Sequence, residues 1–140
     1  MQNTAESFLK VKWNKRFTYP KSVRSLRDGK RHYEVGNEKL PSVTTILGAT
    51  QSDEKRESLA KWIAKKGKNE AERVKNEAAA RGSAMHSIIE HHVNGNNILD
   101  MTETGQGAHR MAAVIIDKGF RDLNEIWGSE VVLSYPGLYA

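Results

Sequence analysis

The sequence contains no cysteine, few aromatic residues and no long apolar segment. Without cysteine it can form neither disulfides nor thiolate metal sites, which suits a reducing cytosol. No apolar run approaches the roughly 20 residues of a membrane span, and the N-terminus lacks the apolar stretch of a signal peptide. We therefore expect a soluble, cytoplasmic protein with no membrane contact. Its 140 residues, 38% hydrophobic and 28% charged, match one folded domain.

Positive charge is concentrated near the start of the chain. Residues 1–31 contain nine Lys or Arg and two acids, whereas the rest of the chain is slightly acidic. A second basic stretch runs from Lys55 to Arg81. Clustered positive charge is typical of nucleic-acid-binding proteins, although a solvated basic arm has the same composition. We predict a basic arm over residues 1–31, a second region over 32–140, and DNA contacts at a set of cations: Lys12, Lys15, Arg16, Lys65 and Lys66.

Hydrophobic periodicity and turn residues predict an α+β fold. Partial alternation over residues 8–19 favours a strand, and residues 31–40 favour a hairpin that turns at Gly36. Arg81-Gly82-Ser83 is expected to separate two helices. The predicted helices cover residues 43–48, 53–66, 69–80, 84–93 and 107–118, with a strand at 126–133. The last helix is expected to turn Met111, Val114 and Ile115 inward.

Two groups of polar residues could carry chemistry. His86 and Glu90 lie one helical turn apart, so an imidazole and a carboxylate could share a cation, although such a pair is more often a surface ion pair. The absence of cysteine and of a His-Glu-x-x-His pattern argues against zinc. Ser42 is placed to cap a short helix, where three hydroxyls could hold a phosphate or form only a capped turn.

Four short motifs occur in a fixed order: Leu40-Pro-Ser-Val-Thr-Thr-Ile-Leu47, Leu59-x-x-Trp62, Gly67-x-x-Glu70-Ala71 and Arg81-Gly-x-x-x-His86-x-x-x-Glu90. In this order and spacing they resemble the N-terminal half of phage-type exonucleases of the PD-(D/E)XK superfamily. That group lies in the RecB-like branch, and the mitochondrial genome maintenance exonuclease is similar to it. The resemblance covers roughly residues 32–140. It implies a restriction-endonuclease-like α+β fold, of which this chain would supply a basic hairpin region, helices and the opening strand of the central sheet.

The same resemblance implies metal-dependent hydrolysis of DNA, with Mg²⁺ or Mn²⁺ as the cofactor of the complete enzyme. His86 would contribute to the metal site, Glu130 would match an acidic residue ahead of the catalytic strand, and Glu90 would support the site. A further set of residues would lie near the DNA: Ser42, Thr44, Thr45 and Arg81. A phage-encoded protein of this kind would act in the host cytoplasm, in DNA recombination or repair.

The sequence departs from the family where the chemistry is expected. The family's catalytic Asp and Glu-x-Lys, which would follow a segment matching residues 138–140, are absent. The nearest substitutes, Asp28-Gly-Lys30 and Asp53-Glu-Lys55, fall in a predicted turn and at a helix start. Hydrolysis needs carboxylates on adjacent strands to hold the metal. We therefore expect that this chain alone does not cleave DNA, and that a C-terminal half or a second chain completes the site.

Two other functions fit the sequence. A stand-alone, non-catalytic module could bind single-stranded DNA through the basic arm, with Trp13, Phe17 and Tyr19 stacking on bases. Trp13 fits equally well as a strand residue that covers the helices. A helical interaction protein would use its basic residues only for solubility. Catalytic motifs beyond Ala140 in the parent polypeptide would exclude the binding module as a description of the whole protein.

Overall fold

The computed structural model describes residues 12–140 and combines helices with small sheets, which confirms the α+β prediction. The strands are β1 (Lys12–Trp13), β2 (Ser22–Arg27), β3 (Lys30–Val35), β4 (Glu38–Pro41) and β5 (Glu125–Ile126). The helices are α1 (Val43–Ala49), α2 (Asp53–Lys66), α3 (Lys68–Val93) and α4 (Glu103–Val114), and a π-helical turn over Ile115–Gly119 follows α4. No helix in residues 12–140 is long and apolar enough to cross a membrane.

Residue contacts divide the described chain into two compact units. Unit 1 contains residues 12–16 and 66–130, and unit 2 contains residues 17–65 and 131–140. The predicted separation after residue 31 rests on charge rather than on contacts, and it stays a prediction. Strand β3 runs through that position, so the last residues of the basic segment belong to a sheet.

Unit 2 is built on an antiparallel sheet in the order β2-β3-β4. The predicted hairpin corresponds to β3 and β4, with Gly36 at a φ of 61° in the turn. Strand β2, which the sequence did not suggest, adds a second hairpin through Asp28 and Gly29. Leu40 in β4 is buried, and Ser42 caps α1 as expected. Helix α1 therefore begins directly where the sheet ends.

Unit 1 is held together by the contact between α3 and α4. Ile88 of α3 packs with Ala108 and Ala112 of α4, and all three side chains are buried. The residues Ala84, Met85, Ile89, Ile98 and Ile116 surround this cluster. Small residues spaced three and four apart let two helices approach closely. A parallel pair of short strands, β1 and β5, completes the unit.

Helix α3 corrects the prediction of two helices separated at residues 81–83. It is continuous from Lys68 to Val93 and is 26 residues long. Nothing lies within 4 Å of the position that a Cβ on Gly82 would occupy. A helix-interior glycine costs about 1 kcal/mol relative to alanine. Packing of α3 on α4 offsets that cost, so the helix does not end there.

Helix α4 also differs from its prediction. It begins at Glu103 rather than 107, because the Thr102 hydroxyl caps it by accepting from the Gly105 N–H at 3.0 Å. Its inward face consists of Gly105, Ala108 and Ala112. The predicted inward residues Met111 and Val114 are exposed. The periodicity of large apolar residues therefore identified the wrong face.

The two predicted long strands are much shorter in the structure. Of residues 8–19, only Lys12–Trp13 are a strand in the described part, and residues 8–11 lie outside it. The strand expected at 126–133 is wrong, since β5 ends at Ile126. Glu130 has a φ of 54°, which is in the left-handed region and is incompatible with a β-strand at this residue. Helix α2 has the predicted bounds, yet Leu59, Trp62 and Ile63 remain exposed.

Replacing Gly82 with alanine tests the continuity of α3. We expect Gly82→Ala to raise the free energy of unfolding by about 1 kcal/mol, because it removes a helix-interior glycine without a clash. The matched control is Gly67→Ala, at the start of the same helix, where φ is 87°. That change should lower the free energy of unfolding by about 1–2 kcal/mol. Urea unfolding followed by circular dichroism measures both, and a destabilised Gly82→Ala would contradict a continuous helix.

Candidate functional site

A concave site in unit 1 is lined by the histidine and the two glutamates that the sequence analysis proposed as site residues. His86 and Glu90 line it from α3, and Glu130 lines it from the segment after β5. The remaining lining comes from small residues of α3: Ala79, Gly82, Ser83 and Ser87. The site is open to solvent, with a volume of about 510 Å³. Its described lining contains two carboxylates and no Lys or Arg.

The face of α3 that carries His86 follows from the helix packing. Successive helical residues are rotated by about 100°, so residues two positions from Ile88 point almost directly away from it. Ile88 is buried against α4, which turns His86 and Glu90 outward. The His86 side chain is 67% exposed. A continuous α3 therefore presents the imidazole and the Glu90 carboxylate on the same solvent-facing side.

His86 and Glu130 approach each other although 44 residues separate them. The His86 Nδ1 lies 3.4 Å from Glu130 Oε1, at the long end of a hydrogen bond. Exposed pairs of this kind contribute about 0–1 kcal/mol to stability. The contact favours the tautomer with the proton on Nδ1, which leaves a lone pair on Nε2. A carboxylate behind one ring nitrogen is how metal-binding histidines are commonly oriented.

These residues do not by themselves fit a divalent-ion site. Within residues 12–140, no three His, Asp or Glu side chains lie close enough together to hold one metal ion. Mg²⁺ takes six ligands in near-octahedral geometry, commonly including at least one or two carboxylates. If Glu130 orients His86, the concave site offers one imidazole nitrogen and the Glu90 carboxylate. Further carboxylates would be required.

The two Asp-x-Lys sequences cannot replace the missing acids. Asp28 and Gly29 form the turn between β2 and β3, and Asp53 begins α2. Neither carboxylate lies on a strand beside a second acidic strand, as the chemistry would require.

The predicted cationic contacts are all on the surface of their own unit. Lys12 is on β1, Lys15 and Arg16 follow it, and the Arg16 guanidinium lies 5.7 Å from the centre of the Trp127 ring. The side chains of Lys65, Lys66 and Arg81 are exposed on α2 and α3. Their assignment to DNA stays a prediction.

The three hydroxyls at the start of α1 form a closed hydrogen-bond network in unit 2. Thr45 Oγ1 donates to the Arg31 carbonyl at 2.9 Å, so it must accept from Ser42, whose Oγ lies 2.9 Å away. Because the Ser42 hydroxyl donates its only proton to Thr45, Thr44 Oγ1 must be the donor in its 2.9 Å contact with Ser42 Oγ. Ser42 Oγ also accepts from the Thr45 N–H at 3.1 Å. No hydroxyl proton of the three remains for a phosphate unless this network opens.

Sequence reasoning missed the residues that surround this network. Arg24, Lys30 and Arg31 line a second concave site in unit 2 together with Thr44 and Thr45. These residues belong to the basic arm predicted over residues 1–31, but no strand is predicted at β2, so nothing in the sequence indicates that they gather at one place. No alternation of apolar and polar residues marks β2, because its two apolar side chains, Val23 and Leu26, fall on opposite faces of the strand.

Comparison with known proteins adds no family to this picture. No protein-family model matches the chain, and no curated protein or solved structure shows significant similarity to it.

Replacing His86 tests whether its position is structural. We expect His86→Ala to change the free energy of unfolding by less than about 0.5 kcal/mol, as is usual for exposed side chains. The matched control, Ile88→Ala on the buried face of the same helix, should lower it by at least about 2 kcal/mol. Urea unfolding compares the two. Equal losses would show that His86 is needed for folding rather than held at a site.

Acid titration tests the contacts that hold β5 beside β1. Trp127 Nε1–H and Asn14 Nδ2–H both donate to Glu125 Oε2, at 3.0 and 3.1 Å, and they lower the pKa of Glu125 from its usual 4.5. Because the folded-state pKa is the lower one, the stabilisation is complete above pH 4.5 and is lost as the pH falls through the folded-state pKa.

Tryptophan fluorescence should therefore show a transition centred below pH 4.5. Glu125→Gln, which cannot titrate, should remove it. A transition that survives in this variant would assign the titration to another group.

Proposed function

We propose that this chain is the N-terminal, DNA-engaging part of a metal-dependent exonuclease of the PD-(D/E)XK type. The observation that carries the proposal is the approach of Glu130 to His86 at 3.4 Å, with Glu90 lining the same concave site. The resemblance of the sequence motifs had assigned these three residues to one site.

The backbone at Glu130 gives the proposal further support. Glutamate rarely adopts a left-handed φ, and holding a non-glycine residue there costs about 1–2 kcal/mol. Asp28, the other described non-glycine residue with a positive φ, lies in a two-residue turn that accounts for it. Glu130 is in no such hairpin turn. Strain of this kind is concentrated at functional sites, where a side chain must point in one direction.

In this proposal each of the candidate site residues has a defined role. The basic residues bind the DNA backbone, and Glu130 orients His86 so that Nε2 keeps a lone pair. Glu90 adds negative charge at the same site. In the complete enzyme Mg²⁺ or Mn²⁺ would activate water and neutralise phosphate charge. Two donors are too few to hold that ion tightly, so in this proposal further carboxylates would complete its ligands.

A non-catalytic module for single-stranded DNA is the alternative. The exposure of Trp13, Phe17 and Trp127, each between 40% and 47%, favours it, since bases stack on accessible rings. Trp13 is however tied to α3, because its Nε1–H donates to the Val93 carbonyl at 2.7 Å. The two functions differ in the role of His86 and Glu130, which contribute to a metal site in the nuclease and have no catalytic role in the binding module.

Binding and cleavage assays on the same preparation test the proposal. We expect labelled single- or double-stranded DNA to bind without being cleaved in Mn²⁺. Affinity should fall about tenfold or more between 50 and 200 mM salt, because several phosphate contacts release counterions. His86→Ala should leave the affinity within about twofold, since a single neutral side chain adds little to backbone binding.

Two results would contradict the proposal. Absence of DNA binding at 50 mM salt would show that the chain does not engage DNA. Cleavage that depends on Mn²⁺ and disappears in His86→Ala would show that the chain completes its own active site. A native preparation treated with a chelator is the control for contaminating nucleases.

A further inference from the structure

The concave site in unit 2 collects positive charge in a way that the sequence did not predict. Arg24, Lys30 and Arg31 line it together with the exposed Thr44 of α1, around a volume of about 400 Å³. Its other described lining is small or apolar: Leu26, Gly29, Thr45, Gly48 and Ala49. No carboxylate and no aromatic ring is among them. The site is therefore suited to an anion without a flat ring.

Strand register fixes two of these cations on one face of the sheet. Arg24 pairs with Tyr33, and Leu26 pairs with Arg31. Alternate residues of a strand share a face, so Arg24, Leu26 and Arg31 all lie on the same side. That side also carries the buried Leu40, which pairs with Tyr33. Lys30 borders the site beside the turn, but it pairs with Arg27, so its side chain belongs to the other face of the sheet.

Helix α1 is attached to this face at Arg31. The Arg31 carbonyl accepts from the Ser42 N–H at 3.0 Å and from the Thr45 hydroxyl at 2.9 Å. These bonds use the backbone of Arg31 and leave its guanidinium available. The hydroxyl network thus holds the walls of the site together, and the positive side chains are the groups left to meet a ligand.

The cations of the site have no acidic partners in the described chain. Among residues 12–140, no carboxylate forms an ion pair with Arg24, Lys30 or Arg31. Elsewhere in the same sheet Lys39 pairs with Glu34 at 3.3 Å, so acids are available nearby. Gathering like charges without counter-charges disfavours folding. A ligand that supplies the missing negative charge would explain the arrangement.

We infer that this site binds the phosphodiester backbone of DNA, with Arg24 and Arg31 as the phosphate contacts. Guanidinium groups bind phosphate oxygens in pairs and keep their charge at all physiological pH values. We expect the site to bind without sequence specificity, because its described lining has no aromatic or amide side chain that could contact a base. The inference rests on the proposed function in that the ligand is DNA, but it concerns unit 2 alone and requires no catalysis.

The competing explanation is a basic hairpin that serves solubility. Arg27 distinguishes the two, because it lies on the same strand as Arg24 but on the opposite face, where it pairs with Lys30. Removing either arginine lowers the charge by one. If only net charge matters, Arg24→Ala and Arg27→Ala will weaken DNA binding equally. If the site binds phosphate, only Arg24→Ala will have a large effect.

The experiment measures binding of a fluorescently labelled 20-nucleotide oligo-dT by anisotropy over a range of salt concentrations. We expect Arg24→Ala combined with Arg31→Ala to weaken binding about tenfold or more. The slope of log affinity against log salt should become shallower by about 1.4, as two phosphate contacts on a single strand are lost. Arg27→Ala should change the affinity by less than about threefold. Arg24→Lys, which keeps the charge but loses the paired contact, should bind with an affinity between those of the native chain and Arg24→Ala.

The outcomes separate this inference from the proposed function. Native binding with a steep salt dependence that the double variant leaves unchanged would overturn the phosphate site while the proposed function stands. Equal effects of Arg24→Ala and Arg27→Ala would also overturn it. Absence of DNA binding by the native chain would overturn both. Far-ultraviolet circular dichroism of each variant must match the native spectrum, and Arg24→Lys serves as the folded comparison if the double variant does not.

Discussion

The packing of α3 against α4 is the contact on which the candidate site of unit 1 depends. Ile88, Ala108 and Ala112 are buried together, and the small side chains on α4 allow the two helices to approach closely. This contact carries α3 through Gly82 without interruption. It also fixes the rotation of the helix, so that His86 and Glu90 face solvent. If α3 ended near Gly82, the orientation of the following segment would not be set by the helix before it.

Local chemistry predicted part of this arrangement, and long-range contacts determined the rest. The cap at Ser42, the hairpin turn at Gly36 and the bounds of α2 follow from short-range rules, and all were predicted from the sequence. Gly82 was misjudged because packing outweighs helix propensity. The inward face of α4 was missed because Ala108 and Ala112 give almost no hydrophobic signal. The approach of Glu130 to His86 spans 44 residues, and only the resemblance suggested it.

The same limits apply to phosphate binding. Hydroxyls at a helix start favour a phosphate site on sequence grounds. In the structure, however, Ser42, Thr44 and Thr45 donate their hydroxyl protons to one another and to the Arg31 carbonyl. The hydroxyls position the backbone, and the arginines supply the charge. Such a division of tasks is invisible in the sequence, because it depends on which face of β2 meets α1. In physical terms, charge composition predicts a polyanionic partner, but it does not show where the cations gather.

The central claim is that His86, Glu90 and Glu130 form part of a cation-binding site, and paramagnetic broadening by Mn²⁺ tests it most directly. Two donors bind Mn²⁺ only transiently, but fast exchange allows a substoichiometric amount of Mn²⁺ to broaden amide signals in nitrogen-15-labelled protein. The signals around residues 86, 90 and 130 should broaden first. Glu130→Gln should weaken that effect relative to the signals near Glu70 and Glu77, which are paired with Arg73. Broadening that begins at other exposed carboxylates, such as Glu103, and is unchanged in Glu130→Gln would contradict the account.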